Sequence, residues 1–306
     1  MIEVRSITKA YGEKKAVSNL SFAIKEGEIV GLLGLNGAGK STILKTLGTL
    51  LPATEGEAFI AGFSVSEQPE EVRRHIGYLP DTPPLYDEMT IRRYLEFVAK
   101  LKGVTRHQLK EYVDKALAQT HLTDVQHQKL SDLSHGYRQR TNIAQALVHR
   151  PKVLILDEPI NGLDPVQIVE MRDLILSLRV DHTVILSSHI LSEITRTCDR
   201  ILVIDQGKLV AEGTEQQLRG KAHDEFDVRV QVVGEIKSLT KLLSSLPGIT
   251  TLRTLDASTL ALSCTEELRP AIARLAVENE MQLLTLDRRE AELETLFLKL
   301  VRGDKA

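Results

Sequence analysis

The sequence has few of the features that mark secreted or membrane-spanning proteins. Only two cysteines occur in 306 residues, Cys198 and Cys264, and neither their number nor their spacing suits a disulfide scaffold or a metal site. The apolar runs are short, such as VLIL at residues 153–156, and none approaches the roughly 20 residues that a helix needs to cross a bilayer. The first residues, MIEVR, lack the layout of a signal peptide. We therefore expect a protein of a reducing compartment that reaches a membrane only through a partner.

Charge and hydrophobicity set two broader limits. Lysine and arginine total 39 and the acidic residues total 42, which gives a net charge of −3. The overall charge therefore gives no indication of a nucleic-acid partner. The length and the 42% of hydrophobic residues suffice for two domains, each with its own core.

The most informative stretch is residues 34–42, which read GLNGAGKST and match a complete phosphate-binding loop. A strand pattern precedes it and a helix pattern follows it, and this context favours nucleotide binding over a chance glycine-rich turn. The glycines let backbone N–H groups approach phosphate oxygens, and the helix N-terminus adds a positive field. We expect Lys40 to contact the β- and γ-phosphates and Ser41 to bind Mg²⁺ through its hydroxyl.

A second polar motif follows the apolar run at 153–156. Asp157 and Glu158 come directly after this predicted buried strand, and Pro159 follows them. Adjacent acidic residues are common on protein surfaces, but their place at the end of a buried strand favours a functional pair. Asp157 is expected in the Mg²⁺ shell, and Glu158 is expected to activate a water for attack on the γ-phosphate.

The chain reads as two domains of different fold. In residues 1–221, short apolar strands alternate with amphipathic helices, which predicts an α/β domain with a parallel sheet. A mostly helical insertion is predicted over about 88–150, including a helix at 137–147. Residues 222–306 follow a βαββαβα order, with the last helix near 293–300, and predict a small α+β domain of ferredoxin-like type.

The motifs, taken together, resemble those of ABC-type ATPases. Asp157 and Glu158, then NGLD at 161–164, then His189 after a strand resemble the family's Walker B motif, D-loop and switch histidine. LSHGYRQR at 133–140 resembles the signature motif, usually LSGGQ. Tyr11 matches the aromatic residue on which adenine stacks. The resemblance covers residues 1–220 in the family's motif order, and it implies a P-loop NTPase core of ABC type.

The resemblance also implies a head-to-tail dimer with two ATP molecules at its interface. Each ATP would be held by the phosphate loop of one subunit and by Ser134 and Gly136 of the other. Glu158, His189 and Asp81 would act in hydrolysis, and Ser41 and Asp157 would hold Mg²⁺. The nucleotide-binding residues that the resemblance implies are Tyr11, Gly34, Asn36, Gly37, Ala38, Gly39, Lys40, Ser41, Thr42, Ser134, Gly136 and Asp164.

The sequence departs from the family pattern at several positions. His135 replaces the first signature glycine, and Leu35 stands where the family often has proline. Asp81 stands where the family usually has glutamine, which touches Mg²⁺ or the attacking water. Aspartate is shorter and charged, so its role there would run through a bridging water.

The segment after Asp81 indicates a kind of partner. Residues 82–86 read TPPLY, in which two prolines stiffen the loop and Leu85 and Tyr86 offer apolar contact. In the family, this segment borders the groove that receives a helix of a separate transmembrane permease. It resembles the subunits of bacterial multidrug, polysaccharide and gliding-motility exporters, which work at the inner face of the cell membrane.

Two other functions stay open on the sequence alone. One is a soluble ABC-type ATPase acting on nucleic acid or ribosomes, although the interval from Lys40 to Ser134 has no sustained heptads and the chain has one ATPase head. The other is a non-hydrolysing regulator, against which the presence of Glu158 and His189 argues. The transported substrate cannot be derived, because selectivity would lie in the permease.

Overall fold

The structure is a computed structural model that describes residues 1–221, 226–233, 236–244 and 246–288. It divides into two compact units, Met1–Glu215 and Gln216–Ala306. The domain boundary predicted between residues 221 and 222 lies six residues after this division between Glu215 and Gln216. None of the described helices is long and apolar enough to pass through a bilayer.

The first unit contains ten described strands and most of the helices. Its strands are β1 (Ile2–Tyr11), β2 (Lys14–Ile24), β3 (Ile29–Leu33), β4 (Glu55–Ile60), β5 (Phe63–Ser64), β6 (Ile76–Leu79), β7 (Val153–Leu156), β8 (Thr183–Ser188), β9 (Arg200–Asp205) and β10 (Lys208–Gly213). Its helices are α1 (Lys40–Leu47), α2 (Pro69–His75), α3 (Ile91–Leu101), α4 (Leu109–Gln119), α5 (His135–Leu147), α6 (Pro165–Ser177) and α7 (Leu191–Thr197), and α8 (Glu215–Lys221) spans the division between the units. Short 3₁₀ turns lie at Thr123–Val125, Leu130–Asp132 and Leu178–Val180.

A six-stranded sheet with the order β10-β9-β3-β8-β7-β6 positions the polar motifs. All neighbouring pairs described are parallel except the edge strand β10, which runs antiparallel to β9. Every residue of β3, β7 and β8 is buried, as expected for strands covered on both faces. Because parallel strands end at the same edge of a sheet, the segments that follow these three neighbouring strands meet there.

A four-stranded antiparallel sheet with the order β2-β1-β4-β5 forms the other layer of this unit. The alternation predicted for Leu20, Phe22 and Ile24 is present in β2, whose buried residues alternate with exposed ones. These side chains share one hydrophobic core with α1 and with residues of the six-stranded sheet. The core holds the start of α1, and with it the phosphate loop, against both sheets.

The helical insertion has its own apolar core, formed by α3, α4 and α5. The prediction that α5 begins at Tyr137 is wrong, because the helix begins at His135 with Ser134 as its N-cap. A glycine within the first turn disfavours a helix in isolation by about 1 kcal/mol, which is why the sequence suggested a later start. Gly136 packs closely against α6, since a Cβ there would lie 2.9 Å from the side-chain amide carbon of Gln167 and would displace that side chain.

The second unit is a small α+β fold. Its described elements are β11 (Phe226–Val233), α9 (Ile236–Leu243), β12 (Ile249–Thr254), β13 (Thr259–Cys264), α10 (Arg269–Glu278) and β14 (Gln282–Arg288). The antiparallel sheet has the order β12-β13-β11-β14, which is the ferredoxin-like arrangement predicted from the pattern. The final helix predicted near 293–300 lies outside the described residues.

Candidate functional site

The phosphate loop occupies the turn between β3 and α1. Lys40 is the first residue of α1 and is nearly buried, and its Nζ lies 2.8 Å from the carbonyl oxygen of Gly34. Gly39 has a φ of 108°, and a Cβ at this position would lie 2.6 Å from the carbonyl oxygen of Ala16. Only glycine therefore fits here, and the loop keeps its backbone N–H groups at the helix N-terminus, where phosphate oxygens bind.

Asp157 lies at the end of β7, beside the first turn of α1. Its Oδ1 accepts hydrogen bonds from Ser41 Oγ at 3.2 Å and from Ser187 Oγ at 2.7 Å. Its Oδ2 is buried and has no hydrogen-bond partner among the described residues. Burial raises the pKa of Asp157, and the hydrogen bonds from Ser187 and Ser41 oppose this rise, whereas the nearby charges of Asp81 and Glu158 add to it. A buried carboxylate oxygen without a partner, next to a serine hydroxyl, fits the oxygen ligands that Mg²⁺ requires.

Glu158 is the next residue along the chain, and its carboxylate contacts Lys40 and His189. Its Oε1 lies 3.3 Å from Lys40 Nζ, and its Oε2 accepts a hydrogen bond from His189 Nδ1 at 3.0 Å. The backbone of Glu158 is left-handed, with a φ of 48°, which is rare for a residue with a long side chain. Its N–H donates to Ser187 Oγ at 2.8 Å. Glu158 and Asp157 therefore point to different partners, as predicted from their adjacent positions.

Most of the predicted site residues line one open cleft of about 880 Å³. Tyr11 lies at its margin with its ring half exposed, as an aromatic residue that stacks on a base requires. Asp81 also lines this cleft. The predicted residues that the cleft brings together are Tyr11, Asn36, Gly37, Gly39, Lys40, Ser41, Thr42, Asp81, Glu158 and His189.

Five predicted nucleotide-binding residues do not line this cleft. Gly34 and Ala38 support the loop from beneath: a Cβ on Gly34 would lie 2.5 Å from the carbonyl oxygen of Ile204, and Ala38 is buried. Asp164 is the N-cap of α6, where its Oδ1 accepts hydrogen bonds from the backbone N–H groups of Val166 and Gln167 at 3.0 and 2.9 Å. The other two, Ser134 and Gly136, line a second cleft of about 520 Å³.

Several residues in or beside the first cleft were missed by the sequence analysis. Ser187 joins the two acidic residues, because it donates to Asp157 and accepts from the N–H of Glu158. A serine pair at the end of an otherwise apolar strand is the signal that would have indicated it. The further residues that line the first cleft are Lys14, Lys15, Ala16, Asn161 and Gln206.

Comparisons with known sequences show which family the chain is similar to. Residues 17–161 match the family model described as ABC transporter. The linearmycin resistance ATP-binding protein LnrL of Bacillus subtilis is 32% identical over 304 residues, which cover 98% of each chain. The bacitracin transport ATP-binding protein BcrA of Enterococcus faecalis is 35% identical over 307 residues, which cover 99% of this chain and 97% of BcrA.

Solved structures extend the comparison to the fold. The dimeric structure of MJ0796, a bacterial ABC transporter cassette, aligns with a TM-score of 0.63 and 28% identity, and the match covers 70% of this chain and 98% of MJ0796. The same cassette is also known as a dimer in a post-hydrolysis state bound to ADP and Pi, with the same identity, coverage and TM-score. Similarity over nearly the full length of LnrL and BcrA, with the phosphate loop, Glu158 and His189 in one cleft, assigns this chain to the ABC transporter family as an ATP-binding subunit and ATPase.

Proposed function

We propose that this protein hydrolyses Mg²⁺-bound ATP as a head-to-tail dimer and thereby powers a separate membrane permease. The observation that supports this most directly is a continuous set of polar contacts in the first cleft and in the buried layer directly behind it. Ser41 and Ser187 hold Asp157, while Lys40 and His189 hold Glu158. A metal position and a base position thus lie side by side next to the phosphate loop.

Each of these side chains has a role in the proposed reaction. Lys40 binds the β- and γ-phosphates, and Ser41 and Asp157 are the residues that would hold Mg²⁺, which supplies neutralisation of the phosphate charge. Glu158 accepts the proton of the attacking water. His189 orients Glu158 through the 3.0 Å hydrogen bond and contacts the γ-phosphate. Tyr11 stacks on the adenine.

The two clefts account for the proposed dimer. The first cleft contains the phosphate loop, and the second contains Ser134 and Gly136 near the N-terminus of α5. In a head-to-tail dimer, the second cleft of one subunit completes the first cleft of its partner. The dimeric solved structures of a related cassette support this arrangement. The role of Asp164 is then to fix the start of α6 beside the second cleft, which Gln167 also lines.

The contact surface for the permease is proposed to include residues 82–86. Tyr86 is half exposed, and its ring lies edge-on to Phe97 with 5.6 Å between ring centroids. Leu85 packs against the core of the helical insertion. The loop thus presents an aromatic side chain from a supported position next to Asp81. We place the protein at the cytoplasmic face of the cell membrane through this contact, with no membrane insertion of its own and no nucleic-acid partner.

The second domain and the transported substrate are proposed from the relatives. LnrL and BcrA align along almost their whole length, so they extend over the C-terminal domain as well as the ATPase core. Their names refer to resistance to, or transport of, an antibiotic. We propose that residues 1–221 form the ATPase, that residues 222–306 are an accessory domain, and that the permease exports antibiotic-like compounds.

One experiment tests the core of this proposal. The purified chain is assayed for phosphate release from ATP with Mg²⁺ and with EDTA, alone and with a multi-span permease encoded beside its gene. We expect Mg²⁺-dependent release that the permease stimulates. Tight ATP binding without release under any of these conditions would instead identify a non-hydrolysing regulator. Release that nucleic acid stimulates, and that the permease does not, would identify a soluble ATPase of another class.

A further inference from the structure

The N-terminal turn of α5 contacts the segment that follows the acidic pair. His135, the first residue of α5, lies with Nε2 3.3 Å from the carbonyl oxygen of Asn161. Because a carbonyl oxygen only accepts hydrogen bonds, Nε2 must carry the proton in this contact. One turn further along the helix, Gln139 Nε2 donates to the carbonyl oxygen of Pro159 at 2.8 Å, and this second bond is buried. Two side chains of one helix face therefore hold the backbone of residues 159–161.

The imidazole of His135 also packs against glycine. A Cβ on Gly162 would lie 3.2 Å from His135 Nε2, which is closer than an ordinary contact. Gly162 also has a left-handed backbone with a φ of 75°, so a side chain there would be strained as well as crowded. The absence of a side chain at Gly162 thus leaves room for the imidazole ring of His135.

His135 lies between the two clefts. Its neighbours in the sequence, Ser134 and Gly136, line the second cleft. Its hydrogen-bond partner Asn161 lines the first cleft together with Glu158, and the N–H of Asn161 donates to the carbonyl oxygen of Glu158 at 3.2 Å. A short path therefore runs from the second cleft along the backbone to His135, and from its imidazole through two hydrogen bonds to the backbone carbonyl of Glu158, the residue proposed as the base.

We propose that His135 is a positioning residue that couples the two clefts of one chain. This inference rests on the proposed function, because the second cleft receives a nucleotide only in the head-to-tail dimer. A phosphate bound at Ser134 and Gly136 fixes the first turn of α5, and His135 transmits this to the 158–162 turn and so to Glu158. In the dimer, each ATP would then influence hydrolysis of the other.

His135→Ala tests this role, because alanine is well tolerated at the first position of a helix but has no donor for Asn161. Hydrolysis by the full chain is measured over a range of ATP concentrations, and ATP affinity is measured separately with a fluorescent ATP analogue. We expect the wild type to show a Hill coefficient above one and His135→Ala to show one close to one. We also expect kcat to fall about threefold to tenfold, the value of one hydrogen bond, while affinity for the analogue at the phosphate loop stays unchanged.

Two further variants complete the test. His135→Gln provides an amide N–H in place of the imidazole donor and should restore part of the cooperativity. His127→Ala removes an exposed histidine of the insertion and should behave as the wild type. If His135→Ala unfolds, His135→Gln and thermal melting decide the question, since a purely structural role would lower the melting temperature without changing the Hill coefficient of folded protein.

The outcomes separate this inference from the proposed function. Equal cooperativity in the wild type and in His135→Ala would overturn the coupling role and leave the ATPase proposal intact. Hydrolysis without cooperativity in the wild type would also overturn it. A wild type that neither hydrolyses ATP nor dimerises with it would contradict the proposed function itself.

Discussion

Lys40 Nζ lies 3.3 Å from Glu158 Oε1, and the two side chains are only 6% and 12% exposed. The residue proposed to bind phosphate is thus the ion-pair partner of the residue proposed to activate water. Phosphate oxygens and the Glu158 carboxylate are both anionic, so they compete for the ammonium group of Lys40. Phosphate binding will therefore weaken the ion pair between Lys40 and Glu158, and the carboxylate will then be available to accept a proton.

Glu158→Gln should bind ATP but hydrolyse it about 10²–10⁴-fold more slowly, because the amide cannot accept a proton. The variant should accumulate as an ATP-bound dimer, which light scattering with and without ATP detects. Glu278→Gln, the same change on an exposed glutamate at the end of α10, which lines neither cleft, is the matched control. A Glu158→Gln variant with wild-type turnover would remove Glu158 from the chemistry.

Lys40→Ala should lose tight ATP binding. A charge-assisted contact to phosphate is worth about 1.5–3 kcal/mol, or about 10- to 100-fold in affinity. Lys45→Ala, which removes an exposed lysine from the same helix, should leave affinity unchanged. Titration with a fluorescent ATP analogue measures both variants, and equal affinity of Lys40→Ala and wild type would show that the loop assignment is wrong.

Asp157→Asn should make the protein more stable while it abolishes Mg²⁺-dependent hydrolysis. The pKa of Asp157 is raised in the folded protein, mainly by burial. The folded state therefore holds this proton to higher pH than the unfolded state, and stability falls as pH rises from the ordinary aspartate pKa through the raised one. Above that window the buried charge is destabilising, so a neutral amide should raise the melting temperature at neutral pH.

Thermal melting at pH 7 with and without MgATP checks both parts of this prediction. The wild type should gain stability when MgATP is added, and Asp157→Asn should gain little, because it lacks the carboxylate proposed to hold the metal. Serine at position 41 offers a comparison, since Ser41→Ala removes the other proposed metal ligand without removing a buried charge. A melting temperature of Asp157→Asn below that of the wild type would contradict the prediction.

The sequence was most informative where one local pattern determines the structure. The phosphate loop, the buried strand before Asp157 and the ferredoxin-like strand order all follow from short-range patterns of glycine and apolar residues. The start of α5 was predicted two residues too late, since Gly136 disfavours a helix locally and its close packing against Gln167 of α6 is a tertiary contact. Such a contact between distant segments cannot be seen in a local pattern.

The same limit applies to two site residues. Ser187 stands 30 residues from Asp157 in the chain, and only the pairing of β8 with β7 brings its hydroxyl to the carboxylate. Asp164 was predicted to bind nucleotide from the motif, and this stays a prediction; the structure adds that its carboxylate caps α6. Capping and ligand binding draw on the same acceptor oxygens, so sequence alone does not distinguish them.

Asp81→Ala should slow hydrolysis modestly and reduce stimulation by the permease, with little change in ATP affinity. Asp81 lines the first cleft and its charge acts on Asp157, so its proposed role is to hold a water near the metal position. The ratio of hydrolysis rates with and without permease is the quantity to compare. Asp124→Ala, on an exposed turn of the insertion, serves as control. Unaltered stimulation in Asp81→Ala would exclude Asp81 from the mechanism.

Acidification should destabilise the first unit through His149. Burial lowers the pKa of His149 to about 4, with a further contribution from the charge of Lys102, against the hydrogen bond of its Nε2 to the carbonyl oxygen of Ile76. Burial also lowers the pKa of His182 nearby. Over this pH range the unfolded state therefore binds more protons than the folded state. The free energy of unfolding should fall as pH drops from about 6.5 to about 4.

His149→Gln keeps an N–H donor for the Ile76 carbonyl and removes the titrating group, so it should flatten the pH dependence over this range. His127→Gln, at an exposed position, should keep the wild-type profile. Melting temperatures at half-unit intervals from pH 7 to pH 4 check the prediction. Identical slopes in His149→Gln and wild type would show that other groups control acid unfolding.

The order of strands in the six-stranded sheet has a consequence for biosynthesis. Strand β8 lies between β3 and β7, yet the ribosome makes it after both of them. A nascent chain that has completed the phosphate loop and the acidic pair therefore still lacks the strand that joins them. The three parts of the cleft can take their final places only once β8 pairs with both β3 and β7, which requires residue 188 to have left the exit tunnel. The cleft can therefore be completed only after most of the first unit has been translated.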